Sequence, residues 1–220
     1  MFHKIRRIVT FILSVFLLGF AAAMAVDSQA VRATLFPVTP TALLRYSFET
    51  PDDTPFKSHS NPDADYEARD GHFLITTRRA GRPAIQLVGP NDKTALSIRA
   101  DTNPPQNSPD SEIGLIFHYK DPQNYYWFSW DQAGFFTIRR LFNGKERLIT
   151  RQQNTALHID QTNQLLVDVQ ESMIAFTING VKVFELYNGE QKLGTVGLGV
   201  QGAFARAETL TFDNLEVLQR

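Results

Sequence analysis

Four side chains on successive aromatic-rich segments could bind a ligand: His118, Tyr125, Trp127 and Arg139. An indole or phenol ring stacks on the apolar C–H face of a sugar, and imidazole and guanidinium groups donate hydrogen bonds to sugar hydroxyls. These residues are therefore the predicted ligand-binding set, with Tyr125 and Trp127 as the stacking platform. The alternative is that the same rings pair across neighbouring strands and contribute only to packing.

Patterns for other chemistries are weak or missing. The five histidines are scattered without metal-ligand spacing, Ser129 lacks a nucleophile-elbow context, and there are no cysteines. Residues 197–202 match the dinucleotide pattern G-x-G-x-x-G, but only residues 203–220 follow, and they have a strand pattern rather than a βαβ pattern. The net charge of −1 argues against nucleic-acid binding. We predict no catalytic residue, no nucleotide and no nucleic-acid partner.

Metal binding is limited to one alternative. Asp213 together with Glu49, Asp52 and Asp53 could supply oxygen ligands to a structural calcium ion. Acidic residues of this kind are also common turn formers, and on that basis no cofactor is predicted.

Alternation positions the candidate residues on strands. Between 111 and 144, three apolar runs are separated by Asp-Pro-Gln-Asn, Asp-Gln-Ala-Gly and Asn-Gly, which predicts three antiparallel strands. The residues predicted to face the core are Leu115, Phe117, Tyr119, Tyr126, Phe128, Trp130, Phe136, Ile138 and Phe142. The residues predicted to face outward are Gly114, Ile116, His118, Tyr125, Trp127, Ser129, Asp131, Thr137 and Arg139. Gly197 and Gly199 are expected to leave a floor without side chains on the outward face.

The rest of the chain repeats the strand pattern. Asn179-Gly180 between alternating runs predicts a hairpin with Ile178 opposite Val181 and Phe176 opposite Val183. The change of parity near Asp213-Asn214 predicts a β-bulge, and Thr54 to Glu67 has the composition of a polar loop. About twelve strands without an amphipathic helix predict an all-β fold, a two-sheet antiparallel jelly-roll β-sandwich.

The N-terminal residues indicate export. Lys4, Arg6 and Arg7 precede an uncharged apolar run from Ile8 to Val26 that contains Ala23-Met24-Ala25, as in a secretory signal peptide. The run is also long enough for an uncleaved helical anchor. We therefore predict a signal peptide or signal-anchor helix at 1–26, a linker at 27–42 and one jelly-roll domain at 43–220. The protein would be periplasmic, extracellular or anchored by residues 8–26.

Several motifs between Leu43 and Leu218 carry a resemblance. GLIFHYKDPQNYYWFSW is followed by an Asn-Gly hairpin, TINGVKVFEL, GTVGLGVQG and FDNLEVL. This series resembles the concanavalin A-like lectin/glucanase superfamily, and within it the bacterial laminin-G-like and 3-keto-disaccharide hydrolase (DUF1080) domains. The resemblance implies a jelly roll of twelve to fourteen strands whose first and last strands are neighbours. The Glu-x-Asp-x-x-Glu motif of the glycanases in this superfamily is absent, and Glu112, Asp131 and Asp168 are isolated in the sequence.

Three functions remain open. The first is an exported, non-catalytic module that binds carbohydrate or another cell-envelope component. The second is a glycoside hydrolase acting on modified (3-keto) sugars, which needs two carboxyl groups on one bond. The third is a structural protein-interaction module tethered to the membrane.

Overall fold

Two antiparallel sheets form the fold of the described residues. The computed structural model describes residues 41–49, 56–79, 81, 83–90, 96–105, 110–170, 172–187, 194–203 and 207–219. One sheet has nine strands in the order β13-β12-β11-β6-β15-β4-β3-β2, with β1 also paired to β15, and the other has six in the order β10-β9-β8-β7-β14-β5. The predicted all-β jelly-roll sandwich is confirmed, and its first and last strands are indeed neighbours.

The described residues contain fifteen strands and no helix, and several strands are longer than the average strand. In chain order they are β1 Thr41–Tyr46, β2 His59–Ser60, β3 Ala64–Arg69, β4 His72–Thr77, β5 Ala84–Val88, β6 Leu96–Thr102, β7 Glu112–Asp121, β8 Asn124–Asp131, β9 Phe135–Phe142, β10 Lys145–Gln153, β11 Asn163–Gln170, β12 Met173–Ile178, β13 Val181–Tyr187, β14 Thr195–Gln201 and β15 Glu208–Gln219.

The core lies between the two sheets. On β8 the predicted inward residues Tyr126, Phe128 and Trp130 are all buried there, and Trp130 donates its indole N–H to Thr102 Oγ1 at 2.8 Å. The prediction for Phe142 was wrong. Its ring is 52% exposed, at the end of β9, with the Arg140 guanidinium over it at 4.6 Å. Alternation thus assigned the middle of the strands correctly and their ends less well.

Two turn predictions are confirmed with one change of register. Asn179 and Gly180 both have positive φ, as a two-residue hairpin turn requires, and Ile178 pairs with Val181. A register shift after this pair places Phe184, not Val183, opposite Phe176. The predicted bulge also exists, because β15 shifts register against β6 between Asp213 and Glu216.

Two predictions concern segments before β4. Thr54 to Glu67 was predicted as a loop, but residues 59–60 and 64–67 belong to β2 and β3, which extend the nine-stranded sheet. The predicted signal or anchor segment at 1–26 lies outside the described residues. Within the described part of the chain, no helix has the length and hydropathy to cross a membrane.

Candidate functional site

The six-stranded sheet carries a small apolar cluster on its outer face, the side away from the core. Ile116, Tyr125 and Trp127 form this cluster. The predicted direction of Tyr125 and Trp127 is therefore confirmed. The rings are not open platforms, however, because Trp127 is 2% exposed and Tyr125 is 6% exposed.

The glycine floor explains the burial of Trp127. A Cβ atom on Gly199 would lie 3.3 Å from Trp127 Nε1 and 3.0 Å from Ile116 Cδ1, so the indole and the isoleucine fill the space above that glycine. The floor predicted for a ligand is occupied by the protein's own side chains. Trp127 consequently stabilises the sheet and offers no face to a sugar ring.

Arg139 is held in an ion pair. It lies on the predicted face, with its guanidinium 5.3 Å from the Trp127 ring centroid. Its two terminal nitrogens donate to both carboxylate oxygens of Glu112 at 2.5 Å, and its Nε lies 3.3 Å from Glu146. Burial alone would lower the pKa of Arg139, but the hydrogen bond and charge of Glu112 outweigh it and raise that pKa. The guanidinium is committed to the protein, contrary to its predicted role as a ligand donor.

His118 was assigned to the wrong side. It has φ of 49°, and β7 shifts register there against both β8 and β14. This bulge reverses the side-chain parity. The His118 ring consequently lies beside two core rings, with its centroid 5.7 Å from that of Phe117 and 6.0 Å from that of Tyr126. Burial, with the Lys120 charge, lowers the pKa of His118 to about 4.

The same bulge turns Tyr119 outward. The prediction placed Tyr119 in the core, but its ring stacks on Tyr125 with centroids 5.8 Å apart and planes at 25°. Tyr119 is half-buried and packs with Leu141 on the Ile116–Tyr125–Trp127 cluster. Neither phenol hydroxyl has a hydrogen-bond partner among the described residues. This end of the outer face thus carries a stacked tyrosine pair with one half-buried ring.

The tyrosine pair lines a cleft of about 720 Å³, called here the tyrosine cleft. Apolar groups from Ile85 and Leu141 lie beside the rings. The polar lining residues are Asn61, Asp63, Tyr66, Gln123, Glu146 and Gln201. The lining is thus mainly polar, with a smaller apolar surface made by the tyrosine rings, Ile85 and Leu141. A sugar, which has many hydroxyls and few apolar faces, suits such a lining better than an apolar ligand does.

The phenols of the cleft remain protonated at neutral pH. Burial raises the pKa of Tyr125 to about 12, and the negative charge of Glu146 adds to the rise. Burial also raises the pKa of Tyr119, with a further contribution from Asp121. Each hydroxyl can therefore donate a hydrogen bond as well as accept one.

Two acids isolated in the sequence meet on the outer face. Glu112 of β7 pairs directly with Asp131 of β8. Glu112 is bound by Arg139 and by Ser129 Oγ at 2.5 Å, and Asp131 by Arg151 at 2.8 Å. Both acids are buried and neither lines the tyrosine cleft. Both carboxylates are thus held by protein donors on the outer face.

A second cleft of about 660 Å³ lies at the nine-stranded sheet. Thr162 Oγ1 donates to Asn103 Oδ1 at 2.6 Å, and Asn103 Nδ2 donates to Thr211 Oγ1 at 2.7 Å. These three polar side chains hydrogen-bond to one another, and the described lining includes no aromatic ring. It is a weaker candidate than the tyrosine cleft.

The described residues do not assemble a metal site. No group of three or more His, Asp or Glu side chains in those ranges is placed to hold an ion. Asp213 Oδ1 accepts the backbone N–H of Asn214 at 2.6 Å, a local turn contact. Of the other acids considered for calcium, Glu49 is exposed, and Asp52 and Asp53 lie outside the described residues.

Comparisons with known proteins identify the fold. No family model and no curated protein matches the sequence. A Bacillus subtilis protein of unknown function with a galectin-like fold is similar at a TM-score of 0.61 and 10% identity, covering 82% of this chain and 98% of that one. The Thermotoga petrophila laminarinase catalytic domain is similar at a TM-score of 0.56 and 8% identity, covering 82% of this chain and 98% of that one. The Bacillus subtilis carbohydrate-binding module CBM66 is similar at a TM-score of 0.51 and 14% identity, covering 74% of this chain and 91% of that one. The chain therefore shares the jelly-roll fold of these three proteins.

Proposed function

We propose that this chain is a carbohydrate-binding domain that holds a sugar in the tyrosine cleft. The observation that carries the proposal is the stacked pair Tyr119–Tyr125, whose hydroxyls have no hydrogen-bond partner among the described residues. A sugar ring laid on this pair would place C–H groups on the aromatic surface and hydroxyls within reach of the phenols. The similar fold of CBM66 supports this class of function.

The binding role is proposed without catalysis. Glu112 and Asp131 are paired with Arg139 and Arg151 rather than directed at the cleft. The two carboxylates that do line the cleft, Asp63 and Glu146, each lie beside an arginine, Arg79 and Arg139. A retaining glycosidase needs one carboxylate free as nucleophile and one as acid/base, about 5 Å apart. The laminarinase shares the fold, so hydrolysis is the alternative that the experiment must separate.

The N-terminal sequence supports an envelope location. Basic residues followed by the apolar run 8–26 would direct the domain across the cytoplasmic membrane. The bound sugar would then belong to the cell envelope or its surroundings. N-terminal sequencing of the exported protein distinguishes a cleaved signal from an anchor at residues 8–26.

Affinity electrophoresis of the full chain against a panel of neutral polysaccharides tests the binding. We expect retardation by at least one polysaccharide and its loss in Tyr119→Ala. Tyr187→Ala is the matched control, because this tyrosine is 71% exposed on β13 of the other sheet and should leave retardation unchanged. Equal mobility of wild type and Tyr119→Ala in every gel would refute the site. Release of reducing ends from a retarding polysaccharide would favour hydrolysis instead.

A further inference from the structure

The tyrosine cleft has an uneven charge. Among its described lining residues, Asp63 and Glu146 are acidic and none is basic. The other polar groups are amides and phenols, which are neutral. Within the described lining, a ligand therefore meets two carboxylates and no cation.

Neighbouring arginines neutralise these carboxylates only in part. Arg79 lies 3.5 Å from Asp63, in a pair with both side chains well exposed, where solvent screens the interaction. Arg139 approaches Glu146 at 3.3 Å but is already bound by both oxygens of Glu112. One guanidinium and two carboxylates leave that group with a net charge of −1.

The cleft tyrosines respond to this negative potential. Burial is the main reason that the pKa values of Tyr66 and Tyr125 are raised, and a carboxylate adds to each rise: Asp63 at Tyr66 and Glu146 at Tyr125. Both carboxylates thus act electrostatically on groups that a bound sugar would touch. Tyr125 is only 6% exposed, and no described residue forms a hydrogen bond with its hydroxyl.

We propose that the tyrosine cleft prefers sugars that carry a protonated amine and rejects uronic acids. The proposal rests on the proposed function, since it specifies which sugar class the same cleft binds. The amine would lie against Asp63 or Glu146, and the sugar ring would stack on Tyr119. A sugar carboxylate would face like charges and lose its hydration without a cation to replace it.

Three oligosaccharide probes separate charge from ring stacking. A glucosamine oligomer, its N-acetylated counterpart of the same length and linkage, and an oligogalacturonate are titrated into the full chain by calorimetry. The pH is about 5.5, above the ordinary pKa of carboxylates and below that of an amine. We expect about fivefold tighter binding of the glucosamine oligomer than of its acetylated counterpart, and no binding of the uronate. This preference should disappear at about 1 M salt, where the screening length is about 3 Å.

Isosteric variants identify the charges responsible. The double variant Asp63→Asn/Glu146→Gln should bind the glucosamine oligomer and its N-acetylated counterpart about equally. Its affinity for the N-acetylated oligomer should match that of the wild type. Asp160→Asn, in the second cleft, is the control and should keep the preference. A preference that survives in the double variant would overturn the proposal. Uronate binding that Arg82→Ala abolishes would also overturn it, since Arg82 stands in the sequence between two lining residues, Gly81 and Pro83.

The outcomes also distinguish the two proposals. Equal affinity of wild type for charged and acetylated oligomers, lost in Tyr119→Ala, overturns the charge preference and leaves sugar binding standing. Absence of binding by these probes and by the whole neutral panel overturns sugar binding itself.

Discussion

Replacing Trp127 by alanine should cost stability before it costs binding. The indole is 2% exposed, covers Gly199 and lies under the Arg139 guanidinium at 5.3 Å. Removing a buried tryptophan side chain typically destabilises a protein by about 4 kcal/mol, because the cavity collapses only in part. Collapse is limited here, since Gly199 has no side chain to move into the space. We expect a loss of about 4 kcal/mol in the free energy of unfolding.

Urea denaturation followed by far-UV circular dichroism measures this loss. Tyr187→Ala serves as the control, and its exposed ring should change the unfolding free energy by about 0.5 kcal/mol or less. Tyr119→Ala should cost about 1 kcal/mol, as a half-buried ring does. A loss below about 1 kcal/mol in Trp127→Ala would refute the structural role, because an open stacking platform behaves in that way.

Two further predictions concern ionisable groups of β7. The pKa of His118 is about 4 in the folded chain and about 6.5 in the unfolded chain, so above pH 6.5 both states hold a neutral ring and the shift does not affect stability. As the pH falls from 6.5 toward 4, the unfolded chain binds a proton that the folded chain does not, and about 3 kcal/mol of the free energy of unfolding is lost. His118→Asn, which tolerates the positive φ, should flatten the profile of urea midpoint against pH between 6.5 and 5, and an unchanged slope would contradict the assignment. Glu112→Gln should cost about 3 kcal/mol in urea denaturation by leaving Arg139 poorly paired, whereas Glu185→Gln on the exposed Lys182 pair should cost less than about 0.5 kcal/mol. Equal costs for these two variants would contradict the burial of the pair.

The fold could be predicted from local patterns that report burial. Tyr126, Phe128 and Trp130 lie at every second position of β8, and strand geometry then fixes which side each ring faces. The hairpin at Asn179-Gly180 and the bulge at Asp213 also follow from residue chemistry, since Asn and Gly accept positive φ. Each of these signals is set by residues adjacent in the sequence, so it can be recognised without knowing the tertiary structure.

The site could be predicted only as a region. One bulge at His118 exchanges the sides of His118 and Tyr119, and no turn residue precedes it to signal the change. Its cause is partly distant, because a Cβ atom on Gly194 would lie 2.6 Å from the His118 carbonyl carbon. Tyr66 and Asp63 reach the cleft from the other sheet, so their part in it depends on tertiary contacts that alternation cannot report.

A polar group binds a ligand most readily when the protein has left it unsatisfied, and this criterion moves the site along β8. Arg139 is bound to Glu112 and gains little from a ligand. Trp127 Nε1 has no hydrogen-bond partner among the described residues, but the indole is buried over Gly199, where a ligand does not reach it. Tyr125 is buried and Tyr119 half-buried, and neither hydroxyl has a hydrogen-bond partner among the described residues, so a ligand that supplies hydrogen bonds there replaces water without breaking a protein contact. In the proposed function, the buried indole would help to hold the two tyrosines in their stacked geometry before a sugar binds.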